Sequence, residues 1–418
     1  MKRSNSPGNP LMPKILQYLI ASTLLLGVPL AQHHAEGAPT YRFTEIADTL
    51  GPLANLAEDP SINSNGTVTF RAFLDNGQQA ILVGTGGPLT TIADSSGPLT
   101  GFGVAPMINA NGTVTFAANV KAGGDGIFFG SGGSLSTVFL TAGFLGFPTI
   151  NNSGTIAFVA NNALLAYKGG SLTTMYDTSG LFSGFSAFVD INNPGRVVFF
   201  AGLDSGGAGF FTGDGGSITQ IATTASGFAG FGQVASINNA GVVAFRGTPA
   251  GSVEGVFTSN GAKVTKLTDT SAGFLDFGGP SINDRGSVAF FADLPGGDSG
   301  IFAITGSLER IVGTGDPLLG STVTRLGFFS PQGMNDRGQL AFLAVLADGR
   351  QAIVRADPVS SPESLLLLSA AIGLLSGFRY ARTRSTDRRR AAERADPSHV
   401  GLRILGGIAG RRGSNPAQ

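Results

Sequence analysis

The sequence predicts an all-β chain folded as a seven-bladed β-propeller, with four antiparallel strands per blade and the ring closed by an N-terminal strand that joins the last blade. Three observations predict it: a nonapeptide that recurs seven times, a strand–turn–strand pattern after each copy, and complementary strands at the two ends of the array.

The nonapeptide stands at 62–70 (INSNGTVTF), 108–116 (INANGTVTF), 150–158 (INNSGTIAF), 191–199 (INNPGRVVF), 237–245 (INNAGVVAF), 282–290 (INDRGSVAF) and 334–342 (MNDRGQLAF). Its asparagines, Asn63, Asn109, Asn151, Asn192, Asn238, Asn283 and Asn335, are spaced 46, 42, 41, 46, 45 and 52 apart. Each copy reads as a β-hairpin tip: an apolar residue, a turn opened by Asn and ended by Gly, then the alternating apolar residues of a strand. Gly66, Gly112, Gly154, Gly195, Gly241, Gly286 and Gly338 are expected at positive φ. The Asn side chain is expected to accept from the amide two residues on and so close its turn. Asn as a ligand or a glycosylation acceptor is the alternative, since 65–67 (NGT) and 151–153 (NNS) are sequons.

A short apolar third strand follows each tip, at 80–83, 126–129, 164–167, 209–211, 255–257, 300–303 and 351–354. A Gly-rich turn usually comes next, as at 84–87 (GTGG). A fourth strand then stands at 89–93, 135–139, 172–176, 218–222, 264–268 and 308–312. The array therefore ends on a third strand, while 41–48 (YRFTEIAD) matches a fourth. Pairing the two would close the ring and leave no free sheet edge. A linear β-solenoid is the rival fold, but its coils run shorter than this period and would not need the permuted join.

The ends of the chain read as addresses. Lys14 precedes the apolar run 15–30 (ILQYLIASTLLLGVPL), followed by small and polar residues, so 1–38 is expected to be a secretory signal peptide, with Met12 an alternative start. Residues 39–357 are expected to form the propeller. The segment 361–364 (SPES) leads into the apolar stretch 365–378 (LLLLSAAIGLLSGF) and then into Arg379, Arg382, Arg384 and 388–390 (RRR). Residues 379–418 hold ten Arg against Asp387, Glu393 and Asp396, net +7, whereas 39–378 hold 14 basic and 23 acidic groups, net −9. The basic end is therefore expected to stay cytoplasmic and the acidic body to face out. This order of Pro-Glu, short Leu-rich helix and Arg cluster resembles the PEP-CTERM sorting signal of exosortase-processed bacterial surface proteins. The resemblance implies cleavage near Pro362 and Glu363 by an exosortase-like membrane enzyme, and a membrane segment over 365–378. It departs from that pattern in having Ser364 for the second Pro and a further 28 residues, 391–418, expected to be a disordered basic tail. A plain tail anchor is the alternative.

Composition removes much chemistry. The chain has no Cys, so disulfides, thiolate metal sites and thiol nucleophiles are excluded. His33, His34 and His399 stand near the termini, which leaves the body without Ser/His/Asp catalysis or a His-ligated metal. There is no P-loop, and an acidic body with scattered basic groups is not a nucleic-acid binder.

What remains is carboxylates and aromatic rings. The loops between second and third strands carry Asp75, Asp125, Asp204, Asp298 and Asp348, and those after the fourth strands carry Asp48, Asp94, Asp177, Asp269 and Asp316, so one rim is expected to be acidic. Asp beside Gly or Ser is ordinary turn chemistry. A calcium ion held by Asp75, Asp125, Asp204, Asp298 or Asp348 is the alternative, without an EF-hand or a Gly-Gly-x-Gly-x-Asp array to specify it. No other cofactor is expected. Phe102, Phe144, Phe147, Phe182, Phe185, Phe228, Phe231, Phe274, Phe277, Phe328 and Phe329 recur before the tips and are expected in the core between blades, with rings exposed for sugars or partners as the alternative.

The repeats also resemble those of uncharacterised secreted tandem-repeat proteins of bacteria with an Asn-x-x-Gly-x-x-x-Phe propeller, over about residues 41–357. That resemblance implies a propeller at the cell surface and no particular activity. The reading reached is an exported, envelope- or matrix-associated, non-enzymatic binding or structural module whose partners are surface glycans or proteins. The alternative is a carbohydrate-active propeller enzyme using rim carboxylates.

Overall fold

The computed structural model describes residues 41–359. The signal peptide expected at 1–38, the sorting residues Pro362, Glu363, Arg379, Arg382 and Arg384, the apolar run 365–378 and the tail 391–418 lie outside the described residues. Within them the chain forms seven antiparallel sheets, the blades of a β-propeller, each running from an inner strand a to an outer strand d. In blade 1 strand a is split into Leu53–Leu56 and Ser61–Ile62, and is followed by Val68–Leu74, Gln79–Gly84 and Thr90–Asp94. In blades 4 and 5 strand a is continuous, Phe182–Ile191 and Phe228–Ile237. Three single turns of 3-10 helix are the helical elements among the described residues, and no helix there is long and apolar enough to cross a membrane.

The alternation of the b strands explains why they fold as they do. In Val68–Leu74 the side chains of Val68, Phe70 and Ala72 are all fully buried, and Phe116, Phe158, Phe199, Phe245, Phe290 and Phe342 repeat the Phe70 position at 1% exposure or less. Each such ring removed from water contributes roughly 2–3 kcal/mol. The ring on strand c stacks beside it, as in Phe245–Phe257 at 5.7 Å between centroids, and a ring from strand a closes edge-on, as in Phe228–Phe257 at 5.3 Å. Most phenylalanines before the tips join this core; Phe144 and Phe329 are 51% and 39% exposed. The core lies between blades as much as within them: Leu343 and Ile353 of blade 7 pack with Phe70 and Leu82 of blade 1.

Blade 7 is built from both ends of the repeat array. Its a, b and c strands are Ser321–Gly327, Leu340–Leu346 and Gln351–Pro358, and its outer strand is Tyr41–Asp48, paired antiparallel from Tyr41↔Pro358 to Asp48↔Ala352. Gln351–Pro358 runs one residue past the boundary set at 357. Polar contacts latch the join: Arg350 Nη1 lies 3.3 Å from Glu45 and 3.5 Å from Asp48, and Thr44 Oγ1 donates to Asp357 at 3.0 Å.

Candidate functional site

The a–b tips gather at one end of the propeller axis. In each, Gly occupies positive φ, from 77° at Gly154 and Gly338 to 94° at Gly195, where a side chain would be strained. The Asn Oδ1 accepts from its own turn: Asn109 takes the amides of Asn111 and Thr113, both at 3.0 Å. The same side chain does a second thing that local turn chemistry does not predict. Its Nδ2 donates to the backbone carbonyl of the Asn in the next blade, from Asn63 to Asn109 at 2.9 Å and onward through Asn151, Asn192, Asn238 and Asn283 to Asn335, which returns to Asn63 at 2.8 Å. All seven are buried, at 3–6% exposure, so the ring of bonds is shielded from competing water.

Beneath this ring the channel is plugged. Leu326 and Asn335 stand nine residues apart, where the corresponding Leu56 and Asn63 stand seven apart, and the longer segment of blade 7 crosses the axis. Residues 330–332 meet every other blade. The Ile62 amide donates to Gln332 O at 3.0 Å, Ser330 Oγ makes a weak contact with Met107 Sδ at 3.7 Å, and Gln332 Nε2 reaches Thr149 Oγ1 and Asp190 Oδ1, each at 3.2 Å. Ser236 and Ser281 donate to Pro331 O at 2.9 and 2.8 Å. What remains on the tip side is a polar dimple of about 120 Å³.

Asp190 is the charged member of this axial layer. Its siblings two residues before each Asn are Ser61, Met107, Thr149, Ser236, Ser281 and Gly333. It accepts from the amides of Ile191 (3.0 Å) and Ile237 (3.1 Å), and from Ser236, Thr149 and Gln332 (3.2 Å each). Burial pushes its carboxyl up to about 6 against the pull of those bonds. A carboxylate so enclosed is a joint, not an open reagent.

The other end of the axis holds an open chamber of about 590 Å³ lined by blades 1, 2, 4, 5 and 7. Its apolar wall includes Phe73, Phe188, Val234 and Phe329; its polar wall carries Glu58, Asp59, Arg71 and Arg325. Glu58 and Arg325 are ion-paired, and Asp59, 7% exposed, accepts the Ala105 amide. Burial raises the Asp59 carboxyl, with Arg71 and the Ala105 amide pulling it back. Arg71 lies over the Phe73 ring at 5.2 Å and donates through Nη1 to Phe102 O at 2.8 Å, while its Nε is buried with no hydrogen-bond partner among the described residues.

Next to the chamber, sharing Val234 and Phe329, a hollow of about 260 Å³ holds Arg246, Asp276 and Asp293. Arg246 lies 3.3 Å from Glu254 and 2.8 Å from Asp276. Burial first, and then the neighbouring Asp276 carboxyl, push Glu254 up to about 7, against Arg246. Asp293 is raised by burial and by Asp276. Blade 1 shows what this arrangement is built on: Arg71 and Gln79 bracket the backbone of one residue of blade 2, Gln79 accepting Phe102 N–H at 3.2 Å while Arg71 donates to Phe102 O. Arg246 likewise donates to Phe277 O in blade 6, with Glu254 at the Gln79 position.

The structure brings the seven Asn-Gly pairs together and leaves the loop carboxylates apart, save Asp48 and Asp348, which share Arg350. Asp94, Asp177 and Asp269 accept from Ser96, Ser179 and Ser271 two residues on, which holds Asp94 and Asp177 below their ordinary value; Asp269 is lowered first by Lys266. Asp125 pairs with Asn119 (2.6 Å), Asp298 with Thr314 (3.0 Å) and Asp348 with Arg350 (3.0 Å); the Asp75 and Asp204 amides bond Pro52 O and Leu181 O across their loops. Among the described residues no three carboxylates converge to hold a metal ion. Asp59, Asp190, Arg71 and the Arg246 cluster were not singled out by sequence. The signal available was position in the repeat: four residues before each Asn stand Asp59, Ala105, Phe147, Phe188, Val234, Gly279 and Pro331, and one of them is charged.

No curated protein matches the chain. Among solved structures, the β-propeller domain of the trilobed protease of Pyrococcus furiosus is similar at 12% identity and TM-score 0.51, covering 74% of this chain and 99% of that one. The oligogalacturonate lyase of Vibrio parahaemolyticus is similar at 12% identity and TM-score 0.50, covering 77% and 98%. A puromycin-hydrolyzing peptidase of Mycobacterium tuberculosis matches at 11% identity and TM-score 0.50, covering 77% of this chain and 55% of that chain. At such identities the likeness speaks for the propeller alone. A family model described as a family of unknown function, DUF7453, matches residues 48–368, most of the sequence, and the chain belongs to that family.

Proposed function

We propose that the protein is an exported, cell-envelope- or matrix-associated propeller that acts as a non-enzymatic binding module, sorted or anchored through residues 358–390. The observation that carries the binding half is the division of labour along the axis. The recurring polar groups join blades to one another, while a chamber of about 590 Å³ stays open among aromatic side chains in a body without His or Cys. Export rests on the apolar run 15–30, and sorting on Pro362, Glu363 and the Arg cluster that follows.

Intact-mass measurement of the protein recovered from its own cell envelope and medium tests export. Loss of the N-terminal segment with a new C-terminus near Pro362 supports processing by an exosortase-like enzyme; retention of the Arg-rich tail favours a tail anchor, and an uncut N-terminus overturns export. Co-sedimentation with isolated extracellular matrix tests binding, and a protein left wholly in the supernatant counts against it.

The second reading, a carbohydrate-active enzyme, is favoured by Glu254, an acid poised at about 7 beside Asp276. If it holds, Glu254→Gln abolishes turnover of extracellular polysaccharide. Unchanged turnover, or none in the native protein, removes it. Gln79 in the equivalent place weighs toward the structural role.

A further inference from the structure

The axial chamber is a built site, and its chemistry narrows what it takes. Its polar wall carries Glu58 and Asp59 against Arg71 and Arg325, two charges of each sign, so an anion meets the carboxylates as closely as a cation meets the guanidinium groups. Asp59 is almost wholly buried, and the Arg71 Nε–H is buried with its hydrogen bond unmade. The lining also includes Phe188, Phe329 and Val234, apolar surfaces, and Phe73 with Arg71 over its ring. Phe329 is 39% exposed, with the Phe291 ring beside it at 5.8 Å between centroids.

We infer that this chamber binds a neutral saccharide of one or two rings. Hydroxyl groups donate and accept at once, so vicinal hydroxyls satisfy alternating guanidinium and carboxylate groups without carrying net charge into the site. The C–H face of a pyranose covers phenyl rings in the way aromatic side chains are covered in apolar contacts. A volume of about 590 Å³ lies inside the ordinary range for small-ligand pockets. The plug at residues 330–332 closes the far side, so the ligand enters from the face of the b–c and d–a loops.

This inference rests on the reading as a binding module and gives it a ligand. The test is saturation-transfer NMR on the full chain with glucose, galactose, mannose, fucose, cellobiose, maltose and lactose, and with glucuronate and glucosamine as charged controls. At least one neutral sugar is expected to receive saturation, at least tenfold more weakly in Val234→Trp, which puts an indole into the chamber, and at least threefold more weakly in Phe329→Ala. Phe329 is exposed enough that its removal leaves the fold intact, so that variant decides the matter if Val234→Trp does not fold. No transfer to any neutral sugar, equal transfer in Phe329→Ala, or stronger binding of a charged control would overturn the inference. Co-sedimentation with matrix that persists without sugar binding leaves the module standing and removes the chamber as its site; sugar binding without co-sedimentation does the reverse.

Discussion

Asn335 donates its Nδ2 to the backbone carbonyl of Asn63 at 2.8 Å across a sequence separation of 272 residues. That bond closes a cycle in which every tip is tied to the next, and its two halves are separable by mutation.

Asn109→Ala removes two bonds inside its turn and one to Asn151 O, taking the side-chain acceptor from the Asn111 and Thr113 amides. A loss of about 2–4 kcal/mol is expected. Asn109→Asp keeps the acceptor and loses the donor, and should cost about half as much at neutral pH. Chemical denaturation of the two variants checks the order; equal losses would mean that the bonds inside the turn contribute nothing, and an Asn109→Asp variant as stable as the native chain would mean the same of the interblade bond.

Stability should fall as pH rises from 5 to 7.5. Asp190 is raised from the ordinary carboxylate range to about 6 in the folded state, so between pH 4 and 6 the native chain holds a proton that the unfolded chain has released. The stabilisation is complete below the unfolded value and is lost as pH rises through 6, with a full span of about 3 kcal/mol at ~1.4 kcal/mol for each unit. Asp190→Asn should flatten this part of the profile in thermal melts at pH 5, 6 and 7.5. A slope unchanged by the substitution would place its origin elsewhere.

Glu254→Gln should stabilise the protein at pH 7.5. Gln stands at the same place in blades 1 and 7, where Gln79 and Gln351 accept amides of the following blade at 3.2 and 2.9 Å. The substitution removes a charge that burial and Asp276 oppose, and Arg246 keeps Asp276. A gain of about 1 kcal/mol, or roughly 2 °C in Tm, is expected at pH 7.5 and less at pH 5. A lower Tm at both would show that the Arg246–Glu254 pair stabilises the joint.

Deleting residues 41–48 should open the ring. The Gln351–Pro358 edge loses its partner strand and Arg350 loses Glu45 and Asp48. An exposed edge with Ile353 and Val354 on it is a template for pairing between chains. Size-exclusion chromatography is expected to show oligomers or aggregate, and a stable monomer would contradict the closure.

What recurs in this chain was legible, and what occurs once was not. The Asn-Gly tips, the third and fourth strands and the match of 41–48 to a missing strand follow from local periodicity, because seven copies average out the noise of any one. The ring of bonds was half legible: the Oδ1 contacts of Asn109 lie within its own turn, whereas its Nδ2 partner is 42 residues away and set by ring geometry. Asp59, Arg71 and Asp190 are singletons, and their meaning comes from facing the axis. The spacing of 52 between Asn283 and Asn335 was the one trace of the plug, and length alone does not say where extra residues go.

The joint between blades is the same at every step, and so it cannot count. Asn-to-Asn links would repeat as well around a hexagon or an octagon. Residues 330–332 are the gauge: three residues of blade 7 touch all six of the others, from Ile62 round to Ser281, and only one radius lets them do so. The number seven is thus recorded in the single copy of the repeat that departs from the rule.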